Sequence, residues 1–215
     1  MDSILMSPGE RTEFLLDLRG FQVGTELFVE NAVDGIPAGI IGNKALTDGY
    51  AQNRDLLKIV IENSSAPPSP IIAFPINLFP SEEPPLSVVT RERTKTLRRD
   101  RFDVSTTPLF NIDSTLMDMM VVNDVVKVDS TELWTIENKT NRGHPWHIHD
   151  THFWVTEVID ADGNSLDHAA HPELFDGPKD NVLVQPFWKL TYIASFPDYG
   201  TQVAPDSSYM YHCHI

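Results

Sequence analysis

The sequence predicts an all-β chain, a sandwich or barrel of short strands. Short apolar or alternating segments recur along it, and turn residues such as Asp162-Gly163-Asn164 separate most of them. No stretch of about 11 residues reads as an amphipathic helix, the length an average helix needs. Several short strands with turns between them are the pattern of a β-sandwich or barrel.

The elements follow in order. Residues 10–18 read as a strand after the Ser7-Pro8-Gly9 turn, and Leu27-Phe28-Val29 as a short one. Residues 35–48 carry Gly and Pro at loop density. Residues 56–61 form a stronger apolar strand pattern. Residues 63–85 hold Pro67, Pro68, Pro70, Pro75, Pro80, Pro84 and Pro85. Proline at that density is excluded from a central strand and favours an extended linker. Strands are then predicted over 87–97, 117–122, 125–136, 153–159, 182–195 and 208–214. Residues 1–62 are too few, with too long a loop, to enclose a core alone, so they read as part of a β domain. Residues 86–215 read as a second one.

The chain has 215 residues, enough for one or two domains. Hydrophobic residues make up 41% and charged residues 22%, an ordinary globular balance. Thirty-one acidic residues against 16 basic ones give a formal charge of -15. A surface that acidic repels phosphate backbones, which argues against a nucleic-acid partner. No run approaches the roughly 18 apolar residues of a membrane span. Met1-Asp2-Ser3-Ile4 lacks a basic and an apolar leader region, so no secretory signal is visible. A single cysteine excludes an internal disulfide framework.

That cysteine sits in Tyr211-His212-Cys213-His214-Ile215. A second segment reads His144-Pro145-Trp146-His147-Ile148-His149. The two hold five of the eight histidines and the only thiol. A lone Cys is ordinarily a small buried hydrophobe, and a lone His a surface or packing residue. Clustered like this, they point to metal. On a strand, His212 and His214 share one face and Cys213 takes the other, with the two His Cα atoms roughly 6.6 Å apart. That spacing suits two metals, with a third held by Cys213 behind them. His147 and His149 likewise share a face. His144, at an odd offset and ahead of a stiffening proline, is free to leave toward the Cys213 site. Thiolate with imidazole is the soft donor set of a blue-copper site. Zinc sites usually repeat Cys or use three His and a water. A cupin reading of His147-Ile148-His149 fails because the next acid, Glu157, comes too late.

The two segments resemble the copper motifs His-Pro-x-His-x-His and His-Cys-His-Ile of the C-terminal half of multicopper oxidases. The resemblance extends to Met6-Ser7-Pro8-Gly9-Glu10-Arg11 followed by Leu15-Leu16-Asp17, similar to the end of the family's middle domain. Asn111-Ile112-Asp113, Met117-Asp118-Met119 and residues 131–138 are similar to the start of its third cupredoxin domain, and Lys179-Asp180 also fits. The pattern is similar to that of bacterial spore-coat laccases and bilirubin oxidases. Asp150 and Pro178 stand where the family often has Gly or Leu and Trp.

The resemblance implies a cupredoxin-like Greek-key β-sandwich. Residues 1–62 would be the tail of the middle domain, 63–85 the linker, and 86–215 a third domain truncated at its end. It implies that His144 and Cys213 bind type 1 copper, His147 type 2 copper, and His149, His212 and His214 the binuclear type 3 copper. Cys213, His212 and His214 would carry electrons from type 1 to type 3. The implied reaction is one-electron oxidation of phenols, aromatic amines or metal ions coupled to four-electron reduction of O₂ to water. Partners would be a small reducing substrate and O₂. Past Ile215 the family continues with another His, an axial Met or Leu and often an acid, and a first domain supplies paired His motifs. The chain is therefore expected to be a fragment. An extracytoplasmic or secreted address is the family's habit. A non-catalytic copper-binding or scaffold cupredoxin is the alternative, and a nitrite reductase is disfavoured by the type 3 ligands in His-Cys-His.

Other features have plainer readings. Arg91, Arg93 and Lys95 read as a solvated, charge-protected strand face, followed by Arg98, Arg99 and Arg101. Met117, Met119 and Met120 read as core fillers rather than a metal relay. His152 reads as a supporting or packing residue, and His168 and His171 as exposed loop histidines. Asn63-Ser64-Ser65 and Asn138-Lys139-Thr140 match the glycosylation sequon, a weak signal.

Overall fold

The computed structural model describes residues 4, 6–13, 16–32, 35–40, 43, 55–63, 82–101, 109–118, 120–198 and 209–214. They fall into two units, one of Met1–Leu5 and Arg11–Pro80, the other of Met6–Glu10 and Ser81–Ile215. Most of the Pro-rich stretch, residues 64–81, lies outside the described residues.

In the first unit, β1 (Glu26–Glu30) and β2 (Asp55–Val60) pair as an antiparallel ribbon. Lys58 bridges Glu26 across the ribbon at 2.5 Å. The strand expected over 10–18 does not form among its described residues. Its start is folded instead into a turn, in which Glu10 N–H donates to the Ser7 carbonyl and Glu10 Oε2 accepts from Ser7 N–H.

The second unit is a two-sheet sandwich. A five-stranded sheet has the order β4-β3-β5-β9-β7, built from β3 (Val89–Asp100), β4 (Leu109–Ile112), β5 (Ser130–Asn138), β7 (Phe153–Ile159) and β9 (Lys189–Phe196). A three-stranded sheet has the order β10-β6-β8, from β6 (His144–Ile148), β8 (Asn181–Val184) and β10 (Tyr211–Cys213). Among the described residues of this unit, only β3 and β5 pair in parallel and the other pairs are antiparallel. A one-turn helix, α1 (Pro172–Phe175), starts on a proline at its first position.

Strict alternation along β5 sends Ser130, Glu132, Trp134, Ile136 and Asn138 inward. Trp134 and Ile136 meet Phe153 and Val155 of β7, Tyr192 and Phe196 of β9, Trp146 and Ile148 of β6, and Val182 and Val184 of β8 in one core. Burying each such large side chain contributes about 1.5–3 kcal/mol. The sandwich thus holds β6 by Trp146 and Ile148, whose face also carries His144, while His147 lies on the opposite face.

Several sequence expectations are corrected. The predicted strand 182–195 is two strands in different sheets, because Pro186 has no N–H to donate and Phe187 takes a left-handed φ of 63°. Strand 125–136 starts only at Ser130, since Asp129 is also left-handed at φ 58°. No strand forms among the described residues of 117–122. Met117 and Met120 are 67% and 90% exposed, not core fillers, and Met119 lies outside the described residues. At the C-terminal end only Tyr211–Cys213 is strand, with residue 208 outside the described set. The four residues of β4 and of α1 are too short for periodicity to reveal. Among the described residues, no helix is long and apolar enough to cross a membrane.

The basic face is a correction too. Arg91 is exposed, but Lys95 is buried, Arg93 is half-buried with its side chain shielded, and both are paired. Arg93 grips Glu132 bidentately, with Nε at 2.6 Å and Nη2 at 3.1 Å, and reaches Asp124 at 3.0 Å. Lys95 meets Asp124 at 2.6 Å and Asp113 at 3.1 Å. β3 lies inside the sheet, between β4 and β5, so its alternating cations find carboxylates rather than water.

Candidate metal centre

Strand β6 carries three of the candidate ligands or leads into them, and β10 pairs beside it. The register sets Tyr211 against Ile148, His212 against His147, and Cys213 against Trp146. His214 N–H donates to the Pro145 carbonyl at 3.0 Å, and His149 N–H to the Met210 carbonyl at 2.8 Å, extending the ladder at both ends. Directly paired residues share a face. His147 and His212 are therefore on one side, and Cys213 with His144 on the other.

On the Cys213 side, His144 Nδ1 lies 3.3 Å from Cys213 Sγ. Two donors each about 2.0–2.3 Å from one shared ion would be separated by such a distance. His144 is 2% exposed. Burial pulls its pKa down to about 4, so the ring stays neutral near pH 7 and keeps a lone pair for a metal. The Phe110 ring stands edge-on to it at 4.9 Å.

On the other side, one ring nitrogen from each of His147, His212 and His214 falls within 4.8 Å of the others. His149 joins through its Nε2, 3.0 Å from His212 Nε2, and its ring lies 4.7 Å from that of His147. Backbone carbonyls fix the ring orientations. His147 Nδ1–H donates to the Asp180 carbonyl at 2.7 Å, and His214 Nδ1 lies 3.2 Å from the Pro8 carbonyl and 3.3 Å from Asn181 Nδ2. The proton held on His147 Nδ1 leaves its Nε2 bare, a ligand atom offered to the shared space. Thiol plus imidazole on one face and convergent imidazoles on the other are donor sets that fit copper.

The structure brings His144 to Cys213, and His147, His149, His212 and His214 to one another. It leaves His152 outside: its side chain is exposed rather than packed, although it borders a pocket of about 520 Å³ with His147, His149, Asp150 and Asp180. Asp150 adopts a left-handed φ of 61°, which Gly, Asn and Asp tolerate best. His168 stacks on Phe175 at 3.7 Å, and His171 Nδ1 meets Glu173 at 3.2 Å beside α1. Neither joins the cluster.

Sequence reasoning missed the neighbours that hold the ligands. Gly9 is one: a Cβ there would lie 2.1 Å from His214 Nδ1 and 2.4 Å from Asn181 Nδ2. Asn181 Nδ2–H donates to the Pro8 carbonyl at 2.9 Å. The Ser7-Pro8-Gly9 signal marked a turn but gave no hint that it lies against a ligand 206 residues away.

Residues 83–215 match the multicopper oxidase family model. The chain is 25% identical over 233 residues to a laccase of Haloferax volcanii, covering 100% of this chain and 33% of that protein. It is 25% identical to multicopper oxidase LPR2 of Arabidopsis thaliana, covering 99% of this chain and 40% of that one. Among solved structures, a Campylobacter jejuni multicopper oxidase described as a metallo-oxidase superposes with a TM-score of 0.62 at 17% identity, over 90% of this chain and 38% of that one. That likeness shows the fold, a cupredoxin-like β-sandwich. The chain spans about a third of the length of the curated relatives it matches.

Proposed function

The chain belongs to the multicopper oxidase family, and we propose that it carries the electron-accepting site and part of the oxygen-reducing site of a laccase-like enzyme. One observation supports this most: a single short strand turns Cys213 toward His144 at 3.3 Å and its two neighbouring imidazoles toward His147. In this reading His144 and Cys213 hold type 1 copper, His147 type 2 copper, and His149, His212 and His214 the type 3 pair. Bound copper would supply one-electron chemistry, coupling oxidation of phenols, aromatic amines or metal ions to reduction of O₂ to water. The chain's own part is placement. Cys213 is joined by peptide bonds to both His212 and His214, so a covalent path of few bonds connects the two faces. The Asp180 carbonyl holds the proton on Nδ1 of His147, keeping its Nε2 free. A net charge of -15 favours neutral or cationic donors over anions. The remaining ligands, including those of a first domain that completes the three-copper site, would come from elsewhere in the full-length protein.

The test is copper loading of the full-length protein. We expect an intense absorption in the red from the Cys213 thiolate, and oxygen uptake with a phenol. Cys213→Ser should abolish the band, whereas His147→Ala should keep the band and lose oxygen uptake. A band that survives Cys213→Ser would refute the assignment. Colour without oxygen uptake in the unsubstituted protein would favour a copper-binding scaffold.

A further inference from the structure

Asn138 and Thr140 are 1% and 4% exposed, and their side chains bond into the His144 site. They form a weak glycosylation match in the sequence, but burial puts Asn138 out of reach of any such modification. Counting protons through this turn leads to a definite state for His144.

Asn138 Nδ2 lies 2.6, 3.1 and 2.9 Å from the carbonyl oxygens of Arg142, Val184 and Gln185. Carbonyls only accept, so three of them identify that end of the amide as the nitrogen. The other end, Oδ1, therefore faces Thr140. It accepts from Thr140 N–H at 2.9 Å and from the Thr140 hydroxyl at 2.8 Å. The hydroxyl has one proton. Its other acceptor within reach, the Arg142 carbonyl at 3.1 Å, is equally unable to donate. With that proton given away, Thr140 Oγ1 can only accept from its remaining neighbours. These are Arg142 N–H at 3.2 Å and His144 Nε2 at 2.8 Å. His144 must then carry its proton on Nε2. A neutral imidazole with Nε2–H has a bare Nδ1, and Nδ1 is the atom 3.3 Å from Cys213 Sγ.

We propose that Asn138 and Thr140 are positioning residues that lock His144 as its Nε2–H tautomer, so that Nδ1 and Cys213 form a preset metal-binding pair before any metal arrives. The proposal rests on reading His144 and Cys213 as a copper pair. The lock is rigid because its three carbonyl anchors lie in two different segments, the loop before β6 and the end of β8 with the following Gln185. Opposite tautomers then serve the two faces. A carbonyl holds Nδ1–H on His147, and a hydroxyl with no proton to spare holds Nε2–H on His144.

The first measurement needs no metal. In the metal-free chain labelled with ¹⁵N-histidine, long-range nitrogen–hydrogen correlation should show His144 as one neutral tautomer with the proton on Nε2. Thr140→Ser should keep that spectrum, and Thr140→Val should give mixed tautomers or a flipped ring. The second measurement is Cu(II) titration followed by the thiolate band of the full-length protein. Thr140→Val should weaken binding about 10- to 100-fold, the usual effect of removing a group that orients a metal-bound histidine. Thr140→Ser should restore it. A wild-type His144 protonated on Nδ1 would overturn the proposal, as would a Val variant with the original tautomer and affinity. If the Val variant does not fold, the wild-type spectrum and the Ser variant still decide. An Nε2–H tautomer with no thiolate band would sink the copper reading while supporting the lock.

Discussion

Gly9 shows how much of the centre depends on one hydrogen in place of a side chain. Its φ of 85° lies in the region that L residues rarely enter, and the space a methyl would take is occupied by His214 Nδ1 at 2.1 Å. Two costs therefore coincide in Gly9→Ala. The left-handed conformation costs of order 1–3 kcal/mol. The clash is with a ring already held by the Pro8 carbonyl, so His214 must give up that hydrogen bond to move. We expect chemical denaturation to show a loss of about 1–3 kcal/mol. The effect on the metals should be one-sided. Oxygen uptake should fall with His214 displaced, whereas the Cys213 thiolate band should persist, because His144 lies across the strand. Loss of the band together with oxygen uptake would mean that the two faces are not independent.

At the scale of elements, β10 works by parity. Tyr211–Cys213 and the following His214 place a thiol and two imidazoles on opposite faces only while their alternation is kept. Inserting one Ala between His212 and Cys213 turns Cys213 onto the other face and breaks its approach to His144. We expect the insertion to abolish the thiolate band while the far-ultraviolet β signal remains, since the core strands β5, β7 and β9 do not include β10. Parity is also why the two-faced centre was legible in the sequence. Odd and even offsets among His144, His147, His149, His212, Cys213 and His214 need no tertiary knowledge. Burial of a charge does depend on tertiary pairing. The alternation Arg91, Arg93, Lys95 reads as a wet face from the sequence, yet Glu132 from β5 and Asp124 from the loop before it meet the last two. Likewise nothing local to 182–195 marks a change of sheet except Pro186, and the left-handed Phe187 appears only in the fold. Thr140 escaped notice because a threonine is informative only once its proton donors and acceptors are known.

For the second unit as a whole, the buried charges tie the two sheets together. Asp124, in the loop between β4 and β5, accepts the Tyr211 hydroxyl at 2.5 Å and pairs with Lys95 and Arg93 of β3. Tyr211 opens β10, so this one carboxylate links the strand bearing Cys213 to the five-stranded sheet. The three side chains are only 13%, 10% and 7% exposed. Removing one partner of such a group leaves the others buried without compensation, and Asp124→Ala should cost about 3–5 kcal/mol. The pH dependence follows from the direction of the shift. Burial pushes the Asp124 pKa up, but the hydrogen bonds from Lys95 and Tyr211 and the charges of Lys95 and Arg93 outweigh it, and the net shift is downward. A carboxylate whose folded pKa lies below its unfolded one stabilises the fold fully above the unfolded value, about 3.9. That stabilisation is lost as pH falls through the lower, folded value. The stability difference between the unsubstituted chain and Asp124→Asn, which cannot ionise, should therefore be level from pH 7 to about 5 and shrink below about pH 4. Urea denaturation across that range measures it. A difference that grows on acidification would mean that Asp124 is held above the ordinary carboxylate value, and that burial rather than pairing governs the link between the sheets.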